Sequence, residues 1–415
     1  MKIMIADKKM KSLQLLSEYK WLLFSLVMNL VIHFVIALIY FNPIDFVLQV
    51  ESARKIAQGE VLYRDIGNIF FEDKILLNPQ YPPLYLYTLA FVILIIGINT
   101  FTFEMAKILL IVFNFLLAFL LYYLINSYFG YKFALLGFNW FLLNPSTLGV
   151  VFGGYHENFM LIFVVFGYLM FSRNKLTSSG ILFGLALLVK PTAGVYMIPL
   201  VIWGIKKQNI TIARIWILAG LVFFIGSLPF LMIAPLEYFT DVFLIHSSRM
   251  DPSMSIYTYF FTEFSPTILP FIVQILIFML IGGVFYYKKN LIEPSDVIEL
   301  VLPFMTAFLA FNRILYPHYI PNIFPFLTWS LILIINRYRN NRESSIYLWQ
   351  ITGLILGLGV TYLGYIWWSI LWSIEYYHTY LTNIFFPISA FICIFGLIII
   401  SVTSICSILT SPIHS

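Results

Sequence analysis

Apolar residues run along this chain in long unbroken stretches that recur from end to end, with little alternation of apolar and polar positions. Continuous apolarity over about 17 to 25 residues predicts helices that cross a bilayer, whereas barrel strands would alternate their two faces. The expected spans cover residues 21–41, 105–124, 133–152, 158–171, 179–190, 191–204, 213–233, 266–287, 296–311, 319–335, 346–371 and 384–409. The pattern predicts an all-α polytopic membrane protein of about twelve spans. It is a single integral membrane domain, 1–415, with a main module over 1–335 and two accessory helices within 346–409.

The polar positions between these stretches are uneven. Segment 42–83 holds ten charged residues from Asp45 to Lys74, and begins with apolar positions Phe46, Val47, Val50, Ala53 and Ala57 at helical spacing before Gly59. That spacing predicts an amphipathic helix lying on the membrane surface, ended at the glycine. A second large loop, 234–265, carries His246, Arg249, Asp251 and Glu263. Lysines near the N-terminus, Lys132, Arg173, Lys175, Lys206, Lys207, Lys288, Lys289, Arg337, Arg339 and Arg342 then orient the helices, because basic residues concentrate in short cytoplasmic loops. All of them are internal together if the stretch 84–98, entered through Tyr81-Pro82-Pro83, is re-entrant or interfacial; a simple span would break the rule locally. The loops on both sides of that stretch, 42–83 among them, are then external, and so is loop 234–265.

Composition closes off other classes. Of 415 residues 61% are hydrophobic and 10% charged, too few charges to cover a water-soluble fold, so lipid must cover this one. A net charge of +5 fits basic cytoplasmic loops and gives no nucleic-acid-binding face. The two cysteines, Cys393 and Cys406, share one apolar run and supply neither a disulfide framework nor a metal site. No Walker loop, dinucleotide fingerprint, His-Glu-x-x-His or Gly-x-Ser-x-Gly is present, which removes support for nucleotide-driven pumping and for protease or esterase chemistry.

The candidate residues each read two ways. Asp45, just past the first span, is either a desolvated carboxylate suited to take a hydroxyl proton or the N-cap of the amphipathic helix. Lys190 interrupts an apolar stretch just before Pro191; it is an intramembrane functional cation or a lysine snorkelling from a helix end. Arg313, His318 and Tyr319 form a polar hinge that could bind phosphate oxygens or anchor the chain at the interface. Arg249 and Asp251 bind a ligand or pair with each other on a solvated loop. Glu157 is a binding carboxylate or a helix-start residue favoured by the dipole. Asn114, Asn139 and His33 are expected to bond neighbouring helices.

Taken in order, these segments resemble the GT-C superfamily of membrane glycosyltransferases. They look most like the catalytic subunit of the first mannosyltransferase of glycosylphosphatidylinositol synthesis. The resemblance is carried by Asp45-Phe46 with Ala53-Arg54, Gly59, Leu62-Tyr63 and Tyr81-Pro82-Pro83-Leu84, and then by Asn144-Pro145 with Gly154 and Glu157. Phe183-Gly184-Leu185-Ala186 with Lys190 and Pro199 follows, then Arg249, Asp251 and Tyr259-Phe260, and lastly Phe311-Asn312-Arg313 with His318-Tyr319. Pro43 stands where that family has a second Asp, which weakens the case for a carboxylate-bound divalent metal, and no cofactor is expected. Gly153, Met254-Ser255 and His318 also depart from the pattern, so an inositol phospholipid acceptor does not follow.

The resemblance implies an inverting transferase that moves a hexose, mannose, from a polyprenyl (dolichyl) phosphate to a lipid or glycan acceptor at the external face. Asp45 would be the base; Lys190, Arg249, Arg313, His318 and Tyr319 would hold the donor phosphate. Tyr63, Arg64, Tyr81, Glu157 and Asp251 would contact acceptor or sugar. Membrane lipids and a small membrane subunit are the other expected partners, in the plasma membrane of a prokaryote or the endoplasmic reticulum of a eukaryote. The competing class is a multi-pass transporter or lipid flippase, but the chain shows no half-to-half repeat of the kind transporters carry.

Overall fold

A computed structural model describes residues 2–39, 43–63, 69–71, 74–76, 82–244, 268–288, 293–312, 315, 317–340, 345–375 and 379–410. The described chain is helical apart from a short antiparallel ribbon, β1 (Ile69–Phe71) and β2 (Lys74–Leu76). In order, the helices are α1 (Lys2–Ala37), α2 (Ile44–Ala57), α3 (Pro83–Ile96), α4 (Phe103–Phe129), α5 (Tyr131–Leu142) and α6 (Pro145–Gly153). Then come α7 (Glu157–Ser172), α8 (Leu176–Val189), α9 (Ala193–Lys206), α10 (Ile212–Ile233) and α11 (Pro235–Phe239), the last running into a π turn, Thr240–Leu244. The chain continues as α12 (Ile268–Lys288), α13 (Pro294–Ala310), a 3-10 segment (Pro317–Ile323), α14 (Phe324–Asn340), α15 (Ser345–Glu375) and α16 (Thr379–Thr410).

Of the twelve stretches read as spans, seven are helices of spanning length and apolarity among the described residues: all of α4 and α10, parts of α1, α12, α15 and α16, and α14 with the end of the 3-10 segment before it. An eighth is bent by 45° where α5 meets α6. Asn144 and Pro145 cause that break: Pro145 begins α6 and the Asn144 side chain accepts the Ser146 N–H at 2.9 Å, a helix start inside an apolar run. The other four, with 16, 14, 14 and 17 residues, match their expected ranges but fall short of the bilayer's thickness. Helices α8 and α9 have 14 residues each, about 21 Å at 1.5 Å per residue, against a hydrocarbon core about 30 Å thick. Helix α3 also has 14 residues, so the stretch 84–98 is too short to cross unaided.

The molecule is an integral multi-pass membrane protein, and its surface shows it. Helix α1 exposes Trp21, Leu23, Phe24, Val27 and Val31, and α10 exposes Ile217, Phe224 and Ile225, apolar faces that lipid must cover. The segment around α14 is the most enclosed, with Trp329, Leu327 and Phe324 fully buried. Polar side chains join the helices inside. Asn29 donates to Asn139 at 2.9 Å, and Asn158 donates to Asn114, which itself donates to the Thr147 carbonyl. His33 bonds its own helix, at the Asn29 carbonyl, and sets its ring against Phe115. The accessory helices are fastened to the rest, since Tyr362 donates to Asn144, accepts from the Ser146 N–H at 3.2 Å and stacks on Phe324.

The apolar face of helix α2, predicted to rest on the membrane surface, is covered by protein. Phe46, Val50 and Ala53 are fully buried, but against protein: α2 packs along α3, whose Tyr85, Leu86, Leu89 and Ala90 are buried in turn. Arg54 fixes the register, donating to Glu51 and to the Phe101 carbonyl, each at 2.7 Å. The basic-loop topology is tested at two exposed positions, 58 and 178. In a variant lacking Cys406, Gln58→Cys is expected to react with an impermeant thiol reagent from outside and Ser178→Cys from inside; labelling of both from one side would overturn the orientation.

Candidate active site

The short helices α8 and α9 meet where the chemistry gathers. A residue before proline is driven out of helical geometry, and Lys190 is accordingly extended (φ −156°, ψ 126°) between α8 and α9. This turns a lysine out of an apolar helix, where its ammonium meets Glu157 at the start of α7. Lys190 Nζ lies 2.7 Å from Glu157 Oε1, both side chains at most 5% exposed. The same ammonium lies 4.3 Å from the centre of the Tyr319 ring, from the 3-10 segment. A snorkelling lysine would reach water; this one is enclosed, so the snorkelling alternative is removed. Glu157 does occupy the first turn of α7, as the dipole reading expected, yet its pairing goes further.

The surroundings hold this pair in place. His156 stacks on Tyr85, 4.6 Å between ring centres and 16° between planes. Burial, and then the charge of Lys190, push the His156 imidazole well below its ordinary range, so it stands neutral beside the lysine. Tyr196, one turn into α9, donates to the Asn322 carbonyl at 2.9 Å and ties α9 to the 3-10 segment that carries Tyr319. Glu157 Oε2 and the Tyr85 hydroxyl are buried without hydrogen-bond partners among the described residues.

Asp45 reaches the same region through Tyr155. It does not cap α2: Pro43 occupies the N-cap position, and Asp45 lies in the first turn, where the dipole favours a carboxylate. The turn from α6 to α7 closes on this helix start. Gly154 is left-handed (φ 69°), and a Cβ there would fall 2.1 Å from the Phe46 ring, so glycine alone lets the turn approach so closely. Tyr155 is thereby set between two carboxylates. Burial raises its phenol well above the ordinary range, and the charges of Asp45, then Tyr365, then Glu157 act in the same direction.

Four expected residues, Asp45, Glu157, Lys190 and Tyr319, thus converge from separate motifs. Tyr63 joins a different cluster, set edge-on to Tyr238 (5.0 Å) and Phe230 (5.5 Å) near Asp241, with a left-handed backbone (φ 69°). His318 falls in the 3-10 segment, its side chain outside the described set; Arg64, Tyr81, Arg249, Asp251 and Arg313 lie outside the described residues altogether. Among the described residues no three His, Cys, Asp or Glu side chains gather as a metal site requires. Sequence reasoning passed over Tyr85, Tyr155, His156 and Tyr196. It also missed the buried Lys107, whose ammonium donates to the Ile39 carbonyl at 3.1 Å, although a lysine in an apolar run is itself a signal.

Comparisons with known proteins give a family and a fold. The model of glycosyltransferase family 87 matches residues 81–312, a range that includes Glu157 and Lys190 and leaves out Asp45 and Tyr319. No curated protein matches the sequence. Among solved structures, ArnT from Cupriavidus metallidurans bound to undecaprenyl phosphate is similar, with a TM-score of 0.54 and 14% identity over 93% of this chain and 77% of that one. At that identity the likeness speaks for a shared fold alone. It reaches past residue 345, taking in part of the two accessory helices.

Proposed function

The chain belongs to glycosyltransferase family 87, and on that footing we propose that it moves a hexose, mannose, from a polyprenyl phosphate donor to a lipid or glycan acceptor, with inversion, at the external membrane face. The observation that carries this reading is the buried Lys190–Glu157 pair at the meeting of helix breaks, close to Asp45. A likeness of fold to a protein bound to undecaprenyl phosphate supports a polyprenyl donor, and so does a body built almost wholly of membrane helices. Mannose rests on the motif resemblance.

In this mechanism the acceptor hydroxyl attacks the anomeric carbon as its bond to the phosphate oxygen breaks, and Asp45 takes the hydroxyl proton. Charge builds on the departing lipid phosphate. Lys190 is the cation already in place to receive it, held by Glu157 and the Tyr319 ring, and a fixed cation in a water-poor site needs no reorganisation as charge develops. Arg249, Arg313 and His318 are proposed to complete the phosphate site, and Tyr63, Arg64, Tyr81 and Asp251 to face acceptor or sugar. Glu157, first expected there as well, takes a different part: it holds the Lys190 ammonium in position until phosphate shares it.

Purified protein in liposomes, given polyprenyl-phosphate-mannose and a membrane lipid extract, is expected to release polyprenyl phosphate and form a mannosylated product. Faster transfer from polyprenyl-phosphate-glucose would replace mannose as the sugar. Transfer from a nucleotide sugar, with polyprenyl-linked sugars untouched, would overturn the donor.

A further inference from the structure

At the far end of α9 from Lys190, about 20 Å along the helix, the turn into α10 frames an open cavity of ≈ 480 Å³. Val201, Ile205, Ile210, Ile212, Trp216 and Ile217 line it, and its volume is that of a ligand site. Ile205, Ile210 and Ile217 are 60%, 86% and 62% exposed, so the apolar wall opens outward to the surroundings of the helices. A polar feature interrupts this wall. The Trp216 indole N–H is buried without a hydrogen-bond partner among the described residues, although buried indole donors ordinarily have one. Two exposed cations adjoin the lining along the chain: Lys207 precedes the lining residue Gln208, and Arg214 follows the lining residue Ala213. Lys206 is engaged elsewhere, donating to the Tyr286 carbonyl at 2.5 Å.

We infer that this cavity binds one anionic glycerophospholipid, its phosphate between Lys207 and Arg214, an ester carbonyl accepting the Trp216 N–H, and an acyl chain along the isoleucines. Each part of the site selects one part of that molecule. A soluble anion would leave the apolar wall uncovered, and an uncharged lipid would leave two cations without a counter-charge. Basic residues beside a membrane attract anionic lipid by electrostatics alone, and two of them favour it over a zwitterionic lipid on the order of tenfold. The indole donor beside an open cavity of ligand size turns that general attraction into a defined site. It lies at the opposite end of α9 from the proposed catalytic residues and is independent of them.

Native mass spectrometry of the detergent-purified full chain tests this, with phosphatidylglycerol, phosphatidylcholine and polyprenyl phosphate competing for retention. Wild type is expected to retain phosphatidylglycerol about tenfold better than phosphatidylcholine. Lys207→Gln with Arg214→Gln is expected to erase the preference, and Trp216→Phe to weaken retention of both phospholipids while keeping the preference. Both substituted cations are exposed, and thermal unfolding checks that the variants keep the fold. Equal retention of the two phospholipids by wild type, or a preference surviving loss of both cations, overturns the proposal. So does polyprenyl phosphate displacing phosphatidylglycerol in a manner that depends on Lys207 and Arg214, which would make the cavity a donor site.

Discussion

Lys190→Met is expected to cost about 3–5 kcal/mol of stability and at least about a hundredfold in turnover, for two separable reasons. The stability loss comes from Glu157, left buried without its partner 2.7 Å away. The turnover loss comes from the missing cation at the departing phosphate. Pairing the substitution with Glu157→Leu separates the two, because replacing both members of a buried ion pair with apolar groups is commonly neutral or stabilising. Unfolding of the double variant should return near wild-type behaviour while transfer stays low. Recovery of both together would make the pair a structural feature alone.

Asp45→Asn is expected to lower turnover by about 100-fold or more with little change in stability. The geometry sharpens this comparison, since Pro43 and not Asp45 holds the cap position of α2. Part of what Asn forfeits structurally is a charge in the first helical turn, about 0.3–1 kcal/mol. What it forfeits chemically is the ability to take the acceptor's proton. Donor binding measured alongside should be retained, because the phosphate is held by cations. Turnover near wild type would take the base role from Asp45 and turn attention to Glu157.

The sequence made some of this site legible and hid the rest for identifiable reasons. Lys190 was visible because a cation followed by proline in an apolar run breaks local pattern, and proline sets the backbone of its neighbour. The buried face of α2 was visible as helical spacing of Phe46, Val47, Val50 and Ala53, although periodicity says only that a face is covered, and the cover is α3, not lipid. The partnership of Glu157 with Lys190 was hidden. The two stand 33 residues apart on different helices, and each alone had an adequate local explanation. Tyr85, Tyr155 and Tyr196 were hidden because aromatic residues make up 19% of the chain and carry no signal singly. The break at Asn144-Pro145 had a helix-start signature in plain view, but the apolar residues on both sides read as one span.

The account depends most on Lys190 as the group that receives the donor's phosphate, and binding of unreactive polyprenyl phosphate to purified protein addresses that without chemistry intervening. Wild type should bind saturably, Asp45→Asn equally well, and the stable double variant Lys190→Met with Glu157→Leu at least about tenfold more weakly, one charge-assisted contact being lost. Equal binding by wild type and the double variant would contradict the assignment and leave the buried pair as a tie between helices.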